Sequence, residues 1–234
     1  MKKLIVSGCS FTSSDFMSVH YPDYDVSFPK WPEMFAEKVN MRLVNKARCG
    51  RGNEYIYNTI RDEILSTPDK NEIGLVIAAW SQCHRRDWQV NNRWTNMIIA
   101  DKGDLNYHIN KSMRYYYMLQ LYCQSRNIPY KQMQMIEFVR KEVNTNNSII
   151  LEERLDDEEM VGSYVKKSQY YKLIDSSQFI GYPMKSEIGG FNIQDKLTNN
   201  RSPELDSVFR LSEVDAHPSK VGHEMIAEYI YENL

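Results

Sequence analysis

The feature that most constrains the fold is a short apolar run near the amino terminus that ends in small residues. The run, residues 4–6, reads Leu-Ile-Val, which predicts a buried strand of a parallel sheet. Four small side chains at residues 7–10 allow a sharp turn and leave room for a ligand at the carboxyl edge of the sheet, where open α/β folds place their sites. Ser10 is expected on this turn, either with its hydroxyl facing the crevice or as the cap of a following helix.

Strand-like and helix-like patterns alternate along the rest of the chain. The most apolar run, residues 73–80, is expected to form a central strand that is covered on both faces. This alternation predicts a doubly wound α/β sandwich with a mostly parallel sheet. Further strands are predicted at residues 41–45 and 130–138, and helices at 31–39, after Asn53 as N-cap, at 108–126 and from about Ser219.

The length of 234 residues suits a single domain, 1–234, that contains an insertion. Residues 139–207 show no clear periodicity and are rich in turn signals, so we expect them to hold an insertion or lid beside the site. Within this stretch, residues 152–159 carry six acidic side chains in eight positions, which is typical of a solvated helix face.

Composition argues against several classes of protein. The formal net charge of −2 gives no reason to expect a nucleic-acid partner. No run approaches the ~18 apolar residues of a membrane span, and the first apolar stretch is too short for a secretory signal, so a cytoplasmic location is expected. The four cysteines lack close-spaced zinc pairs and are not expected to form a disulfide framework.

Four loops are expected to meet at one edge of the predicted sheet. Residues 7–12, 47–53 and 80–86 each follow a strand, and the carboxyl ends of parallel strands lie at the same edge. Residues 215–218 precede the last helix and can reach that edge. Together the loops supply a hydroxyl, backbone amides beside glycine, an imidazole and a carboxylate, which are the groups that acyl transfer needs.

These groups suggest a catalytic triad. A serine hydroxyl is a weak nucleophile until a base accepts its proton, and His217 can be that base for Ser10. Asp215 can fix the imidazole tautomer and stabilise the imidazolium. The backbone amides of Ser10 and Gly50 can receive the developing oxyanion.

Short sequence blocks in the same order relate the chain to a known family. The first is Gly8-Cys9-Ser10-Phe11-Thr12, in which Cys9 stands where aspartate is usual, and Trp31-Pro32 then opens a helix. The other blocks are Asn45-x-Ala47-x-x-Gly50-x-x-Asn53 and His217-Pro218-Ser219-x-x-Gly222-His223. Over nearly its whole length the chain resembles the SGNH (GDSL-type) hydrolases, and most of all the divergent members found in phage genomes.

The resemblance implies a fold and an activity. The family's fold is a flavodoxin-like three-layer α/β/α sandwich, here with a mostly parallel five-stranded sheet, and its members hydrolyse esters, often acetyl esters of carbohydrates. The blocks put Ser10 at the nucleophile position, Gly50 at the oxyanion glycine and His217 at the base. The implied partner is a small-molecule or glycan ester, with no cofactor and no metal, in the host cytoplasm or on a virion if the protein is phage-encoded.

Two departures from the family pattern affect the site. The third block usually contains an asparagine that donates to the oxyanion, but here Trp80 is followed by Ser81 and Gln82, so one of these two side chains has to substitute. Losing one such donor typically costs on the order of 10²–10³ in rate. Asp215 precedes the base by two residues instead of the more usual three, which leaves open a role as a helix cap.

Other residues and functions stay open at this stage. Asn53 is expected to help shape the second loop and the substrate site, and Arg85 is expected to contact substrate. An alternative class is a catalytically weakened protein of this fold that binds a glycan or a protein partner. A second alternative is a zinc site, although small buried thiols are the simpler interpretation; its ligands would be Cys9, Cys49 and Cys83 with His84 or His217.

Overall fold

The computed structural model describes residues 1–98, 103–139, 158–182, 193, 197, 208–212 and 214–234. The strands are β1 (Lys3–Ser7), β2 (Arg42–Asn45), β3 (Ile73–Trp80), β4 (Arg85–Val90), β5 (Arg93–Ile98), β6 (Tyr130–Gln134) and β7 (Phe179–Ile180). The α-helices are α1 (Trp31–Lys38), α2 (Asn53–Ser66), α3 (Leu105–Gln124), α4 (Glu158–Lys167) and α5 (Lys220–Glu232).

Five of these strands form one sheet in the order β2-β1-β3-β6-β7, and every neighbouring pair in it is parallel. The apolar strand β3 lies at the centre, as its composition predicted. It pairs with β1 through Ile5 and Val76 and with β6 through Val76 and Tyr130. The predicted α/β fold with a five-stranded parallel sheet is therefore confirmed.

Helices cover both faces of the sheet because side chains alternate along each strand. Leu4 and Val6 of β1 point to the face where α1 and α5 pack, whereas Ile5 points to the face of α2 and α3. The first core includes Trp31, Phe35, Ile226 and Ile230, and the second includes Ile56, Ile60, Met113 and Tyr116. The result is three layers, with β1 buried between two apolar cores.

The third helix differs from its prediction at both ends. It begins at Leu105 because the Asp104 carboxylate accepts a hydrogen bond from the backbone amide of Tyr107, at 2.7 Å. On this helix Met113 is fully buried, whereas Leu121 is 45% exposed.

A β-hairpin that was not predicted follows β3. Strands β4 and β5 pair antiparallel, with Val90 opposite Arg93, and the turn between them is Asn91-Asn92. Both asparagines have positive φ, 49° and 61°, which is the conformation of a two-residue type I′ turn. The segment 80–86, predicted as a loop, therefore contains the start of this hairpin.

The hairpin also determines how α2 begins. Gly52, and not Asn53, is the N-cap residue, and it has no side chain that could cap the helix. Asp87 on β4 takes this role, because its carboxylate accepts hydrogen bonds from the amides of Gly52 at 2.9 Å and Tyr55 at 3.1 Å. Burial raises the pKa of the Asp87 carboxyl, although the two amides act in the opposite direction.

Most of the predicted insertion, residues 139–207, lies outside the described residues, and so do the acidic positions 152–157. The described part contributes α4 and the short edge strand β7. Among the helices that the structure describes, none combines the length and the apolar composition needed to cross a bilayer.

Replacing Asp87 with alanine is expected to lower the free energy of unfolding by about 2 kcal/mol or more, because two buried amides lose their acceptor. Asp87→Asn keeps one acceptor oxygen and should lose less. Urea denaturation measures the free energy of unfolding of each variant. The control is Asp62→Ala, at an exposed position of the same helix, which should change this free energy by no more than about 0.5 kcal/mol. An Asp87→Ala variant as stable as this control would show that the cap contributes nothing.

Candidate active site

Ser10 lies on a tight turn directly after β1, as predicted. The carbonyl of Cys9 accepts hydrogen bonds from the amides of Thr12 at 3.0 Å and Ser13 at 3.1 Å, so the chain coils into a single helical turn. A β-carbon at Gly8 would come within 2.5 Å of the Thr12 hydroxyl oxygen, so only glycine fits the turn. Cys9 is buried, but Ser10 keeps part of its surface exposed.

The loop before α5 carries the other two predicted residues. It is held on both sides: the Leu211 amide donates to the His217 carbonyl at 2.9 Å, and the Ser219 amide donates to the Phe209 carbonyl at 3.0 Å. Ser219 is the N-cap of α5, where its hydroxyl oxygen accepts from the Gly222 amide at 3.1 Å. Asp215 is therefore not needed as a helix cap.

Ser10, His217 and Asp215 form one chain of hydrogen bonds. His217 Nδ1 lies 2.6 Å from Asp215 Oδ1, and His217 Nε2 lies 2.7 Å from Ser10 Oγ. Because a carboxylate can only accept, Nδ1 carries the proton and Nε2 accepts from the serine hydroxyl. The two-residue spacing also lets Asp215 Oδ1 accept the backbone amide of His217 at 3.1 Å.

The Asp215 carboxylate is buried, and its second oxygen is also occupied. Ser18 Oγ donates to Asp215 Oδ2 at 2.5 Å, across 197 positions of sequence. Burial by itself raises the pKa of the Asp215 carboxyl, but the hydrogen bonds from Ser18 and His217 outweigh burial and hold the pKa below its ordinary value. Asp215 is thus held in its charged form beside the imidazole.

Two aromatic rings fix the plane of the imidazole. The Phe16 ring stacks on His217 with centroids 4.2 Å apart and planes 29° apart, and Phe11 packs against it at 4.8 Å. The His217 side chain keeps 27% of its surface exposed, so the imidazole lies at the boundary between protein and solvent. A reactant that approaches Ser10 would meet both the hydroxyl and the imidazole.

The loop that carries Gly50 is held from the hairpin. Gly50 has a φ of 76°, which favours glycine, and its carbonyl accepts a hydrogen bond from Asn96 Nδ2. The next carbonyl, of Arg51, accepts from Arg85 Nη1 at 3.1 Å, and the amide after that, of Gly52, donates to Asp87. Three consecutive residues of the loop thus owe their backbone orientation to side chains of β4 and β5.

Asn53 joins the second loop to the third. Its carboxamide accepts from the Ser81 amide at 2.8 Å and donates to the Ser81 carbonyl at 3.2 Å and to Ser112 Oγ at 3.0 Å. The Asn53 side chain is almost fully buried. It therefore shapes the two loops from within, and these bonds leave it little capacity to contact a substrate.

The other predicted residues of the third loop lie together beside Asn53. Ser81 is fully buried, and its hydroxyl oxygen accepts from Arg85 Nη1 at 3.0 Å, so this guanidinium bridges the second and third loops. Its positive charge also acts on the Cys9 thiol, whose pKa is nevertheless raised by burial. Gln82 is 2% exposed, and we find no hydrogen-bond partner for its carboxamide among the described residues.

The proposed zinc ligands do not assemble. Cys9 and Cys83 are buried, Cys49 is exposed, and all three thiols are reduced. Cys83 Sγ lies 3.8 Å from Nδ1 of the neighbouring His84. Across the part of the chain that the structure describes, no three histidine, cysteine or acidic side chains are placed to hold a metal ion.

Sequence reasoning missed four residues that support this arrangement. Phe16 and Ser18 contact the His217–Asp215 pair, and Asp87 and Asn96 hold the Gly50 loop. A signal for the last two was present, because an Asn-Asn pair is typical of the tight turn of a hairpin. The contact of Ser18 has no local signal, since its partner lies near the other end of the chain.

No protein-family model and no curated protein matches this chain. Solved structures do match. A lipolytic protein of the G-D-S-L family from Desulfitobacterium hafniense DCB-2 is 16% identical, with 100% of each chain covered and a TM-score of 0.54. TesA is 9% identical, with 100% of this chain and 98% of that chain covered and a TM-score of 0.51.

A third structure is LAE5, an alpha/beta hydrolase enzyme from the metagenome of Lake Arreo, Spain. It is 10% identical, with 99% of this chain and 94% of that chain covered and a TM-score of 0.50. At these identities the similarity concerns the fold, which is the fold that the three sequence blocks implied. This chain therefore has an SGNH hydrolase-like α/β fold.

Proposed function

We propose that this protein is a serine esterase in which Ser10 is the nucleophile, His217 the general base and Asp215 the residue that orients the base. The observation that carries this proposal is the continuous hydrogen-bond chain from Ser10 Oγ through the imidazole to the buried carboxylate. The solvent-facing position of the first two groups supports it further. Nucleophile, base and orienting acid are the arrangement that acyl transfer requires.

The reaction proceeds in two halves. As Ser10 Oγ attacks the ester carbonyl, its proton passes to His217 Nε2, and the imidazolium is stabilised by Asp215. The tetrahedral intermediate collapses when the C–O bond to the alcohol breaks and His217 returns the proton to the departing oxygen. Water then repeats the sequence on the acyl-serine: it gives a proton to His217, releases the carboxylic acid and restores the hydroxyl of Ser10.

The oxyanion needs donors in place before the reaction begins. In our proposal, the backbone amides of Ser10 and Gly50 supply two of them. Support comes from the positive φ of Gly50 and from the hydrogen bonds by which the hairpin holds its loop. For the third donor we favour the Gln82 carboxamide, which has two N–H donors, over the hydroxyl of Ser81, which is fully buried.

For the substrate we propose a small-molecule or glycan ester, with O-acetyl groups on carbohydrate as the first class to test. Tyr21 and Tyr24 support this choice, because they expose 42% and 49% of their surfaces on the loop that also carries Ser18. Exposed tyrosines supply large, rigid contact surfaces with a polar end.

Ser10→Ala is expected to lower kcat/KM for p-nitrophenyl acetate by about 10³-fold or more and to abolish labelling by a serine-directed phosphonate. Ser14→Ala is the matched control, since Ser14 lies on the same loop but its hydroxyl donates to the Glu33 carboxylate of α1. The same pair of variants should be assayed on acetylated xylan fragments and acetylated amino sugars. If wild type and Ser10→Ala behave alike on every acyl donor, the protein binds and does not hydrolyse, and glycan binding becomes the better account.

Substituting Gln82 and Ser81 in turn should show which of the two side chains is the third oxyanion donor. Gln82→Ala is expected to lower kcat by about 10²-fold with little change in KM, because the interaction forms only as charge develops. Ser81→Ala should leave kcat within about threefold of wild type. The opposite ranking would assign the donor to Ser81, and two unaffected variants would leave the backbone amides as the whole oxyanion site.

A further inference from the structure

Ser18 occupies a defined place beside the proposed triad. Its hydroxyl oxygen accepts a hydrogen bond from the Tyr21 backbone amide at 3.0 Å, so the direction of its lone pairs is fixed. The hydroxyl proton then points to Asp215 Oδ2, 2.5 Å away. Only 5% of Ser18 is exposed, so water does not compete freely for this contact.

The segment around Ser18 alternates in burial like an extended strand. Phe16 and Ser18 turn inward and are 6% and 5% exposed, whereas Met17 and Val19 are 73% and 89% exposed. The two inward side chains contact different members of the pair, Phe16 the imidazole and Ser18 the carboxylate. One short segment therefore fixes both the plane of the base and the orientation of its acid.

We propose that Ser18 is a positioning residue for the hydrolysis described above: by occupying Asp215 Oδ2, it keeps Oδ1 directed at His217 Nδ1. The proposal rests on the proposed function for its kinetic consequence. A carboxylate held at one oxygen can rotate about its Cβ–Cγ bond and lose the alignment that selects the imidazole tautomer. A donor on each oxygen removes that freedom.

His223 of α5 is another ionisable group near the His217–Asp215 pair. In addition to burial, the charges of Lys30 and His217 act on the His223 ring. Burial lowers the pKa of His223 to about 3, so this ring stays neutral at the pH values of an esterase assay. Its Nδ1 accepts the Trp31 amide at 3.2 Å, which is a structural role.

The test compares three variants of the full chain. Ser18→Ala removes the donor and Ser18→Thr keeps it. Ser27→Ala is the matched control, because the Ser27 hydroxyl also donates to a carboxylate of the same loop, but to the exposed Asp25. Urea denaturation of each variant establishes that it is folded before the kinetics are compared.

Ser18→Ala is expected to lower kcat for p-nitrophenyl acetate about 10-fold with KM unchanged, the size of effect expected when one hydrogen bond to a charged group is lost. The acidic limb of its kcat/KM profile should move to higher pH, because the Asp215 carboxylate loses a donor that favours its charged form. Ser18→Thr should restore kcat to within about threefold of wild type, and Ser27→Ala should match wild type throughout.

A second readout does not depend on turnover. In proton NMR spectra, the Nδ1–H of His217, assigned by its absence in His217→Gln, should shift and exchange faster in Ser18→Ala but not in Ser27→Ala. If wild type hydrolyses no acyl donor and Ser10 is not labelled by a phosphonate, the proposed function fails and this resonance alone decides the role of Ser18. A Ser18→Ala variant with unchanged kcat and resonance, or a folded Ser18→Thr as slow as Ser18→Ala, would overturn the proposal.

Discussion

The hydrogen bond between Ser10 and His217 joins residues that are 207 positions apart, and the fold has to bring both to one edge of the sheet. Parallel strand pairing brings Ser10 to this edge, because β1 is flanked by β2 and β3 and all three strands end on the same side. The last loop reaches that edge because α5 packs beside α1 on one face of the sheet. A change in the strand order would separate the two groups.

The larger elements could be predicted from the sequence because each had a strong local cause. The apolar β3 could only be central, and the spacing of Ile56, Ile60 and Ile64 fitted one buried helix face. The hairpin escaped notice because its strands are polar and half exposed, so they lack the apolar alternation that indicates a strand. The Asn91-Asn92 turn is indicated by two residues that tolerate positive φ, and the hydrophobic pattern of the chain does not reveal it.

The site residues, too, include some that could be predicted from the sequence and some that could not. Ser10, His217 and Asp215 meet in one hydrogen-bond chain, and Ser10 lies on a turn directly after a strand, which has little freedom of position. Asn53 was expected near a substrate but bonds instead to Ser81 and Ser112, a difference that only side-chain contacts reveal. Ser18 could not be identified from sequence, because its importance depends on a contact between two distant loops.

The hairpin has a consequence for how the protein responds to heat. Among the described strands, β4 and β5 pair only with each other, and Val90 and Met97 are more than half exposed, so the hairpin has little of the burial that holds the main sheet together. Local opening of such a unit requires less free energy than global unfolding. Because Asn96, Arg85 and Asp87 hold the Gly50 loop, fraying of the hairpin would disorder that loop while the sheet and its ellipticity remain intact. On gradual warming, the Gly50 loop would then lose its order at a temperature several degrees below the one at which the whole molecule unfolds.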